Sequence, residues 1–300
     1  MLKVAWSPLY KHPLPDGHRF PMEKYSLIPE QLIYEGTLTQ ENFFEPGQVS
    51  ESVILSTHKA SYWQKLKTQS LSPKEIRRTG FPLSSRLIER GITIAQGTID
   101  NCLFALEHGV SMNIAGGTHH AFTDRGEGFC LLNDFGIAAN YLLDHGLAER
   151  ILIVDLDVHQ GNGTAEIFRS EQRVFTFSMH CEANYPLQKE QSDLDIGLPL
   201  GTGDDEYLQR LRNTLPNLIE KTQPDIILYL AGVDILETDK LGRIACTREG
   251  CKERDRFVLE ACYQNDIPVA VSMGGGYSVE IKDIIEAHCN TFRLAQEIWF

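Results

Sequence analysis

Short apolar runs alternate with helix-like segments along most of this sequence, and this alternation constrains the fold more than any other feature. Five runs resemble buried strands: MNIA (112–115), ILIV (151–154), VFTFS (174–178), IILYLA (226–231) and PVAVSM (268–273). Five segments carry apolar residues at helical spacings of three and four: 84–108, 134–146, 204–221, 248–265 and 278–296. Such alternation is typical of a parallel sheet covered by helices on both faces. The sequence therefore predicts an α/β fold.

Polar clusters directly follow four of these runs. GGTHH follows MNIA, DLDVHQGNG follows ILIV, GVD follows IILYLA and GGGY follows PVAVSM. Ligands of parallel α/β sheets bind at the carboxyl ends of the strands. The four clusters therefore predict one site at that edge of the sheet. The region 7–83 has no comparable period, and we expect an ordered loop that leads into a helix near 23–34.

Length and composition favour a globular protein and exclude several other classes. The 300 residues, 42% hydrophobic and 23% charged, suit one large α/β domain or two small ones. The net charge of -13 argues against direct binding of nucleic acid. Seven cysteines occur without a CxxC pair, so we expect a reducing compartment and a cytoplasmic location. We expect neither a signal peptide nor a membrane span.

Asp155, Asp157 and His159 alternate with apolar residues in DLDVHQGNG. The side-chain period of a strand is two, so this spacing places all three on one face. Buried carboxylates are costly unless a cation lies among them. Asp157, His159 and Asp234 are therefore candidate ligands of Zn²⁺ or Fe²⁺, with open positions for water and substrate. The alternatives are helix-capping aspartates with a core histidine, or a phosphate-binding turn, which is disfavoured because its motif is incomplete.

Two histidines and a tyrosine complete the candidate site. His119 and His120 follow two glycines; one can act as general base while the other stays charged or moves a proton. Asp155 is available to orient one of them. Tyr277 ends GGGY, and its phenol can donate to a developing oxyanion. The alternatives are a surface histidine pair and a packing tyrosine. Together the groups predict metal-assisted hydrolysis of a carbonyl compound, first of all an amide.

The sequence resembles the zinc-dependent histone deacetylases of the arginase–deacetylase superfamily. Five ordered motifs carry the resemblance: GGTHHA (116–121), RGEGFCLLND (125–134), DLDVHQGNGT (155–164), AGVDIL (231–236) and GGGY (274–277). The segments HQGNG, GTGDDEYL and AGVDILETDKLG are most similar to the class IV branch and its bacterial relatives. The resemblance implies a single catalytic domain over residues 1–300, with a parallel sheet sandwiched between helices.

The resemblance also implies catalytic roles for the matched residues. The zinc ligands would be Asp157, His159 and Asp234. His120 would be the general acid–base, and His119 would be its electrostatic partner, held by Asp155. Tyr277 would polarise the substrate carbonyl. Asn162 stands where most members of the family have an Asp that supports the second histidine, so we expect the basicity of His120 to be lower or differently tuned.

The resemblance also implies which residues would bind the substrate and a second metal ion. The substrate-binding residues, including the walls of an acyl-lysine tunnel, would be Gly128, Phe129, Tyr185 and Gly275. A monovalent cation, usually potassium, would be held by Asp155, Asp157, His159, Ser178 and Met179. The resemblance therefore implies K⁺ beside Zn²⁺ as a bound ion.

The implied activity is removal of acyl groups from lysine in a protein or peptide. Small residues at Gly116 and Gly117 and the flexible Met22 suggest room for a long fatty acyl chain. The first alternative is a deacetylase of small molecules such as acetylpolyamines. Its acidic gate would come from Glu23, Glu182 or Glu190. The second is a non-catalytic acyl-lysine binding protein, and the sequence leaves the oligomeric state open.

Overall fold

All strands of the protein belong to one parallel sheet. The computed structural model describes all 300 residues. The strands are β1 Lys3–Ala5, β2 Phe43–Phe44, β3 Val110–Asn113, β4 Ile151–Asp155, β5 Val174–Cys181, β6 Leu194–Leu198, β7 Ile226–Leu230 and β8 Val269–Ser272. Their order is β2-β1-β3-β8-β7-β4-β5-β6, and every neighbouring pair is parallel. The predicted α/β fold with a parallel sheet is confirmed.

The central strands are apolar because both of their faces are covered. Every residue of β3, β4, β7 and β8 is buried. The register aligns the last residues of these four strands in one row across the sheet: Asn113, Ser272, Leu230 and Asp155. The loops that follow the four strands therefore begin side by side at the same edge.

The chain forms ten α-helices, and the longer ones cover the sheet in two layers. They are α1 Lys24–Tyr34, α2 Glu51–Leu55, α3 Ala60–Lys67, α4 Pro73–Thr79, α5 Ser85–His108, α6 Asp134–Asp144, α7 Asn162–Phe168, α8 Asp204–Thr222, α9 Arg248–Gln264 and α10 Ile281–Trp299. Helix α5 packs against α6 and on strands β3 and β8. Helices α1, α10, α9 and α8 form a second row, each packed against the next. One continuous hydrophobic core results.

Helix α5 shows how local sequence sets these boundaries. Oγ of Ser84 accepts a hydrogen bond from the N–H of Leu87 at 3.1 Å, which satisfies a donor that the first turn leaves free. The helix ends at His108, and Gly109 follows with a φ of 87°, a conformation that favours glycine. Strand β3 begins at the next residue, so this turn sets the start of the strand that leads to His119.

The five predicted strands and five predicted helices are all present, with boundaries that differ by a few residues. The helix expected near 23–34 is α1. No pattern in the sequence indicated the short strand β1, the edge strands β2 and β6, or the short helices α2, α3, α4 and α7. All seven cysteines are free and buried. No helix combines the length and apolar character that crossing a membrane requires.

Candidate active site

Loops at the carboxyl edge of the sheet bring the polar clusters together. His119 and His120 follow β3, Asp157 and His159 follow β4, Asp234 follows β7, and Tyr277 follows β8. Each of these side chains is buried or nearly so, with at most 8% of its surface exposed. The single site predicted at this edge therefore has a structural basis in the aligned strand ends.

The chain after β4 turns instead of continuing the strand. The strand ends at Asp155, whose Oδ1 accepts from the N–H of Asp157 at 3.2 Å. Oδ1 of Asp157 accepts in turn from the N–H of His159 at 3.0 Å. Aspartate favours such turns because its side chain accepts from the backbone two residues on. The prediction that a continuous strand places Asp155, Asp157 and His159 on one face was wrong. The strand ends at Asp155, and two successive turns bring Asp157 and His159 to the site.

Asp157, His159 and Asp234 form a buried group that we call the ligand cluster. Their potential ligand atoms all lie within 4.8 Å of one another. Nδ1 of His159 lies 3.0 Å from Oδ1 of Asp157 and 3.2 Å from Oδ2 of Asp234. Burial lowers the pKa of His159, but hydrogen bonds to the two carboxylates outweigh burial and raise it to about 10. Burial and the charge of Asp157 raise the pKa of Asp234 to about 7.

The ligand cluster places two carboxylates side by side away from water. A cation bound there would relieve the repulsion between the two carboxylates. Two carboxylates and one imidazole are a donor set that suits Zn²⁺ or Fe²⁺, and three protein ligands leave coordination positions open. The residues present therefore fit the catalytic metal that the sequence analysis predicted.

The backbone of Gly275 lies against the ligand cluster. Its N–H donates to Oδ2 of Asp157 at 2.8 Å, and its carbonyl accepts from the N–H of Val233 at 2.9 Å. A Cβ atom at position 275 would overlap Oδ2 of Asp234 and come within 2.7 Å of Oδ2 of Asp157. Glycine is required here because of this close approach. Gly275, predicted to bind substrate, thus also holds a candidate ligand.

His119 and His120 have opposite electrostatic environments. Nδ1 of His119 lies 2.7 Å from Oδ2 of Asp155, and Nδ1 of His120 lies 2.6 Å from Oδ1 of Asn162. Burial lowers the pKa of His119, but the charge of Asp155 outweighs burial and raises it to about 9. Burial and the charges of His119 and His159 hold the pKa of His120 well below its usual value. His119 is therefore the charged member of the pair.

Tyr277 lies beside the ligand cluster with its ring firmly packed. Its ring centroid is 5.8 Å from that of Phe20 and 5.9 Å from that of Phe129. Its N–H donates to Oδ2 of Asp239 at 2.6 Å. Burial and the negative charge of the ligand cluster hold the pKa of the phenol well above its usual value. The hydroxyl therefore stays protonated and is able to donate a hydrogen bond.

Phe129 and Tyr185 line the approach to the site. Both border an outer cavity of about 1200 Å³ that opens to solvent and reaches His120 and Tyr277. The ring of Tyr185 stands edge-on to that of His120, with centroids 5.0 Å apart. Gly128 has a φ of 51°, and a Cβ atom there would lie 2.5 Å from Cδ2 of His120. The four residues predicted to bind substrate are therefore all close to the catalytic candidates.

A smaller inner cavity of about 40 Å³ lies beside Tyr277 and the ligand cluster. It has room for about three water-sized groups. Gly116 and Gly117 both line this cavity, although a Cβ atom at Gly116 would meet Asp134 and one at Gly117 would meet Leu230. Met22 is buried and borders a different cavity. The expectation that these residues leave room for a long acyl chain stays a prediction.

The three glutamates suggested as an acidic gate do not form one. Glu23 borders a separate cavity on the side of the N-terminal loop. Glu182 does not line the outer cavity. Glu190 does line it, but its carboxylate forms an ion pair with Arg169. None of the three therefore presents a free carboxylate at the entrance.

The residues predicted to bind potassium lie on two adjacent strands and the loop after one of them. Asp155 at the end of β4 is level with Ser178 of β5, and Met179 follows it, fully buried. Oγ of Ser178 lies 2.9 Å from Nδ1 of His180. The potassium site remains a prediction for Asp155, Asp157, His159, Ser178 and Met179.

Lys24 is a buried cation beside the site that the sequence analysis missed. Its Nζ donates to the carbonyl of Gly274 at 3.0 Å and lies 5.9 Å from the ring centroid of Tyr277. Burial lowers the pKa of Lys24 to about 8. The segment MEKYS (22–26) gave no signal, because a lysine at the start of an amphipathic helix normally faces water.

Arg254 was missed for the same reason. It lies in KERDR (252–256), which reads as a solvated stretch of helix, yet its side chain is fully buried. Nη1 of Arg254 donates to the carbonyls of Leu156 and Gly232, at 3.2 Å and 2.5 Å. These carbonyls belong to the loops that carry Asp157 and Asp234. Arg254 therefore links the loop that carries Asp157 to the loop that carries Asp234.

Comparisons with known proteins relate this chain to the histone deacetylases. The family model of the histone deacetylase domain matches residues 18–292. An uncharacterized protein of Picosynechococcus sp. is 45% identical, covering 99% of both chains. Histone deacetylase 2 of Arabidopsis thaliana is 29% identical over 87% of this chain and 70% of its own. Acetoin utilization protein AcuC of Staphylococcus aureus is 28% identical over 88% of this chain and 74% of its own.

Solved structures of histone deacetylase homologs have a similar fold. An HDAC homolog from Aquifex aeolicus superposes with a TM-score of 0.84 at 23% identity, covering 98% of this chain and 84% of that one. At this level of identity the likeness concerns the fold alone. The match to the family model extends over most of the sequence and includes every loop of the site. The chain therefore belongs to the histone deacetylase family.

Proposed function

We propose that this member of the deacetylase family hydrolyses the amide bond of acetyl-lysine in a protein or peptide. One observation carries the proposal: a buried cluster of three candidate metal ligands lies with a histidine pair and a protonated phenol at the end of an open cavity. These are the groups that metal-assisted amide hydrolysis requires. A binding protein without activity would need none of the acid–base groups.

The ligand cluster is the proposed metal site. Asp157, His159 and Asp234 would hold Zn²⁺, or Fe²⁺, which the same donor set accepts. A bound ion of this kind polarises a carbonyl and lowers the pKa of a water molecule. Gly275 contributes by fixing Oδ2 of Asp157 through its N–H. The same family resemblance supports a potassium ion near Ser178.

His120 is the proposed proton carrier. Oδ1 of Asn162 accepts from the N–H of Gly163 at 3.1 Å and lies 2.6 Å from Nδ1 of His120. Because this oxygen is an acceptor, Nδ1 of His120 carries the proton and Nε2 keeps its lone pair. Nε2 can therefore take the proton of the attacking water. The protonated ring then delivers this proton to the lysine nitrogen, and the amine leaves.

His119 and Tyr277 stabilise the charge that develops during the reaction. The ion pair with Asp155 keeps His119 charged and fixes its ring. Its positive charge favours the neutral form of His120 before water attacks. The phenol of Tyr277 donates a hydrogen bond to the oxyanion that forms from the acetyl carbonyl. Packing against Phe20 and Phe129 holds the phenol ring in place for this role.

The entrance favours lysine in a peptide over a polyamine. A polyamine carries further cationic amines, which need a free carboxylate near the tunnel. The carboxylates at the mouth are already paired, as for Glu190 with Arg169. The outer cavity of about 1200 Å³ is large enough to admit a length of peptide chain. These features support a protein or peptide as the substrate.

The inner cavity favours a short acyl group. Its volume of about 40 Å³ suits an acetyl group and is much smaller than the volume of a myristoyl chain. We propose acetyl-lysine as the preferred substrate for this reason. Seven free, buried cysteines support our further proposal that the protein works in the reducing environment of the cytoplasm.

The test is a comparison of kcat/KM on acetyl-, octanoyl- and myristoyl-lysine peptides and on acetylspermidine, before and after removal of metal by a chelator. We expect the acetyl peptide to be cleaved fastest and the activity to disappear with the metal. Tyr277→Phe should lower kcat by about 100-fold, as expected for loss of one oxyanion donor. Tyr263→Phe, at an exposed tyrosine of α9, is the matched control. Faster cleavage of acetylspermidine, or activity that survives chelation, would contradict the proposal.

A further inference from the structure

Arginines surround the mouth of the outer cavity, although the whole chain carries a net charge of -13. The five that line it are Arg19, Arg77, Arg78, Arg125 and Arg243. Four carboxylates line the same cavity. Whether the mouth attracts anions therefore depends on how these charges are paired.

Each carboxylate at the mouth is already paired with a cation. The pairs are Glu75 with Lys65 at 2.8 Å, Asp124 with Lys59 at 3.1 Å, Glu127 with Arg125 at 2.8 Å, and Glu190 with Arg169. Three of the cations in these pairs come from outside the cavity lining. The carboxylates are thus neutralised, and the lining has positive charge left over.

Arg19, Arg77 and Arg243 supply that excess charge. All three are exposed, and none forms an ion pair or a side-chain hydrogen bond. The guanidinium carbon of Arg19 lies 5.0 Å from the ring centroid of Phe129, one wall of the approach. An arginine that stacks on an aromatic ring keeps its donors free for a ligand.

The free arginines come from separate segments that line the outer cavity. Arg77 precedes Arg78 and Thr79, whose carbonyls accept from the N–H groups of Gly128 and Phe129 at 3.1 Å and 2.7 Å. The end of α4 is thereby fixed to the Phe129 wall. Arg243 lies in the loop whose Leu241 carbonyl accepts from Nδ2 of Asn184, next to Tyr185.

We propose that this mouth binds acidic residues on both sides of the acetyl-lysine, so that the preferred substrate is an acetylated lysine within an acidic stretch of protein. The inference rests on the proposed function and adds a substrate class to it. Guanidinium groups bind carboxylates through paired hydrogen bonds. A positive rim also steers an acidic peptide to the cavity and repels a basic one. Basic peptide segments are therefore poor substrates.

The test compares three acetyl-lysine peptides that differ only in the flanking residues: glutamate, glutamine or lysine. At low salt we expect kcat/KM to be about tenfold higher for the glutamate peptide than for the glutamine peptide, as several exposed ion pairs acting together predict. The lysine peptide should be the slowest. In 1 M NaCl, where the screening length is about 3 Å, the ratios should approach one.

Variants locate the effect. The triple variant Arg19→Gln, Arg77→Gln, Arg243→Gln should reduce the glutamate-to-glutamine ratio to about that seen in high salt, because those charges produce it. Arg212→Gln, at an exposed and unpaired arginine of α8, should leave the ratio unchanged. If the triple variant does not fold, the salt dependence of the rate ratio in the unmodified protein still tests the inference. Equal rates on all three peptides, or an unchanged ratio in a folded triple variant, would overturn the inference.

The two proposals fail in different ways. If acidic, neutral and basic acetyl-lysine peptides are cleaved equally fast, only the inference about the mouth of the outer cavity is contradicted. If no peptide is cleaved while acetylspermidine is, the proposed function itself fails.

Discussion

At the scale of single residues, the site depends on positions where one added methyl group would displace a ligand. Gly275 is the clearest case, because its backbone lies against both carboxylates of the ligand cluster. Interiors pack densely, so such an overlap is relieved only by moving the neighbouring groups. The two aspartates are the groups that would have to move.

Gly275→Ala is expected to lower metal binding more than it lowers stability. The added Cβ would overlap Oδ2 of Asp234 and displace Oδ2 of Asp157. Metal affinity should fall by at least about 10-fold, the usual effect of disturbing groups around metal ligands. Metal content after dialysis against a weak chelator measures the effect. Gly47→Ala, where a Cβ meets nothing within 4 Å, is the control. Full metal content in the Gly275 variant would disprove the overlap.

Asn162 determines how His120 is oriented. Asn162→Ala removes the oxygen that lies 2.6 Å from Nδ1 of His120, so the ring can rotate or change its tautomer. We expect kcat to fall by about 10- to 100-fold while metal content stays constant. Asn217→Ala, at an exposed asparagine of α8, should have no effect. Unchanged kcat in the Asn162 variant would show that His120 needs no such support.

The sequence was sufficient to predict the ligand cluster, the histidine pair and Tyr277 as one site, because each follows an apolar strand. It was not sufficient for Lys24 or Arg254, whose burial depends on partners distant in the chain. The ion pairs that neutralise the carboxylates at the mouth were hidden for the same reason. Only the assembled structure shows which charges remain free.

At the scale of elements, helices α1 and α10 are joined by a bidentate ion pair. Nη2 and Nε of Arg293 lie 2.6 Å and 2.8 Å from the two carboxylate oxygens of Glu35. The hydrogen bonds to Arg293 lower the pKa of Glu35 to about 2 from an ordinary value of 4.5. Because the pKa is depressed in the folded state, the pair stabilises the fold above pH 4.5, and this stabilisation is lost as the pH falls towards 2.

Glu35→Gln should therefore destabilise the protein in a pH-dependent manner. At pH 7 we expect a loss of about 1 kcal/mol in the free energy of unfolding, since the pair is partly exposed to solvent. The difference from the unmodified protein should shrink as urea unfolding is repeated below pH 4.5. Glu206→Gln, in the exposed pair with Arg210, should change stability little at any pH. A difference that is constant with pH would rule out the ion pair as its cause.

The central elements were predictable and the edge elements were not. Strands β4, β7 and β8 are buried on both faces and therefore appear as continuous apolar runs. Strand β6 is mostly half-exposed, and β1 and β2 have three and two residues, so none produces a clear pattern. The sequence predicts that the strand continues past Asp155. Alternation of Asp with apolar residues is typical of a strand, but it also occurs in two successive Asp turns, which the structure shows here.

At the scale of the whole molecule, Arg254 connects helix α9 to the loops that follow β4 and β7. It is paired with Asp255 at 2.8 Å, and both side chains are fully buried. Asp255 in turn accepts from the hydroxyls of Tyr229 and Thr291. One buried network therefore links the second helical layer, the sheet and the ligand cluster.

Arg254→Leu is expected to weaken the fold and the metal site together. Removing the cation leaves Asp255 buried without its charged partner, which costs about 3–5 kcal/mol in such pairs. The loops with Asp157 and Asp234 also lose their shared donor. The free energy of unfolding, measured with urea, and the metal content should both decline. Arg212→Leu should alter neither. A variant that loses stability but keeps full metal affinity would show that Arg254 has no part in positioning the ligands.

The alignment of the four strand ends has a consequence for any sample of this protein. Asp157 and Asp234 become neighbours only when β4 and β7 pair, so an ion that needs both recognises folded molecules alone. At about a hundredfold excess over its Kd, such an ion adds about 2.7 kcal/mol to stability. A partly loaded preparation would then contain two populations that melt at different temperatures. The shape of its melting curve would measure the fraction of molecules that carry the bound ion.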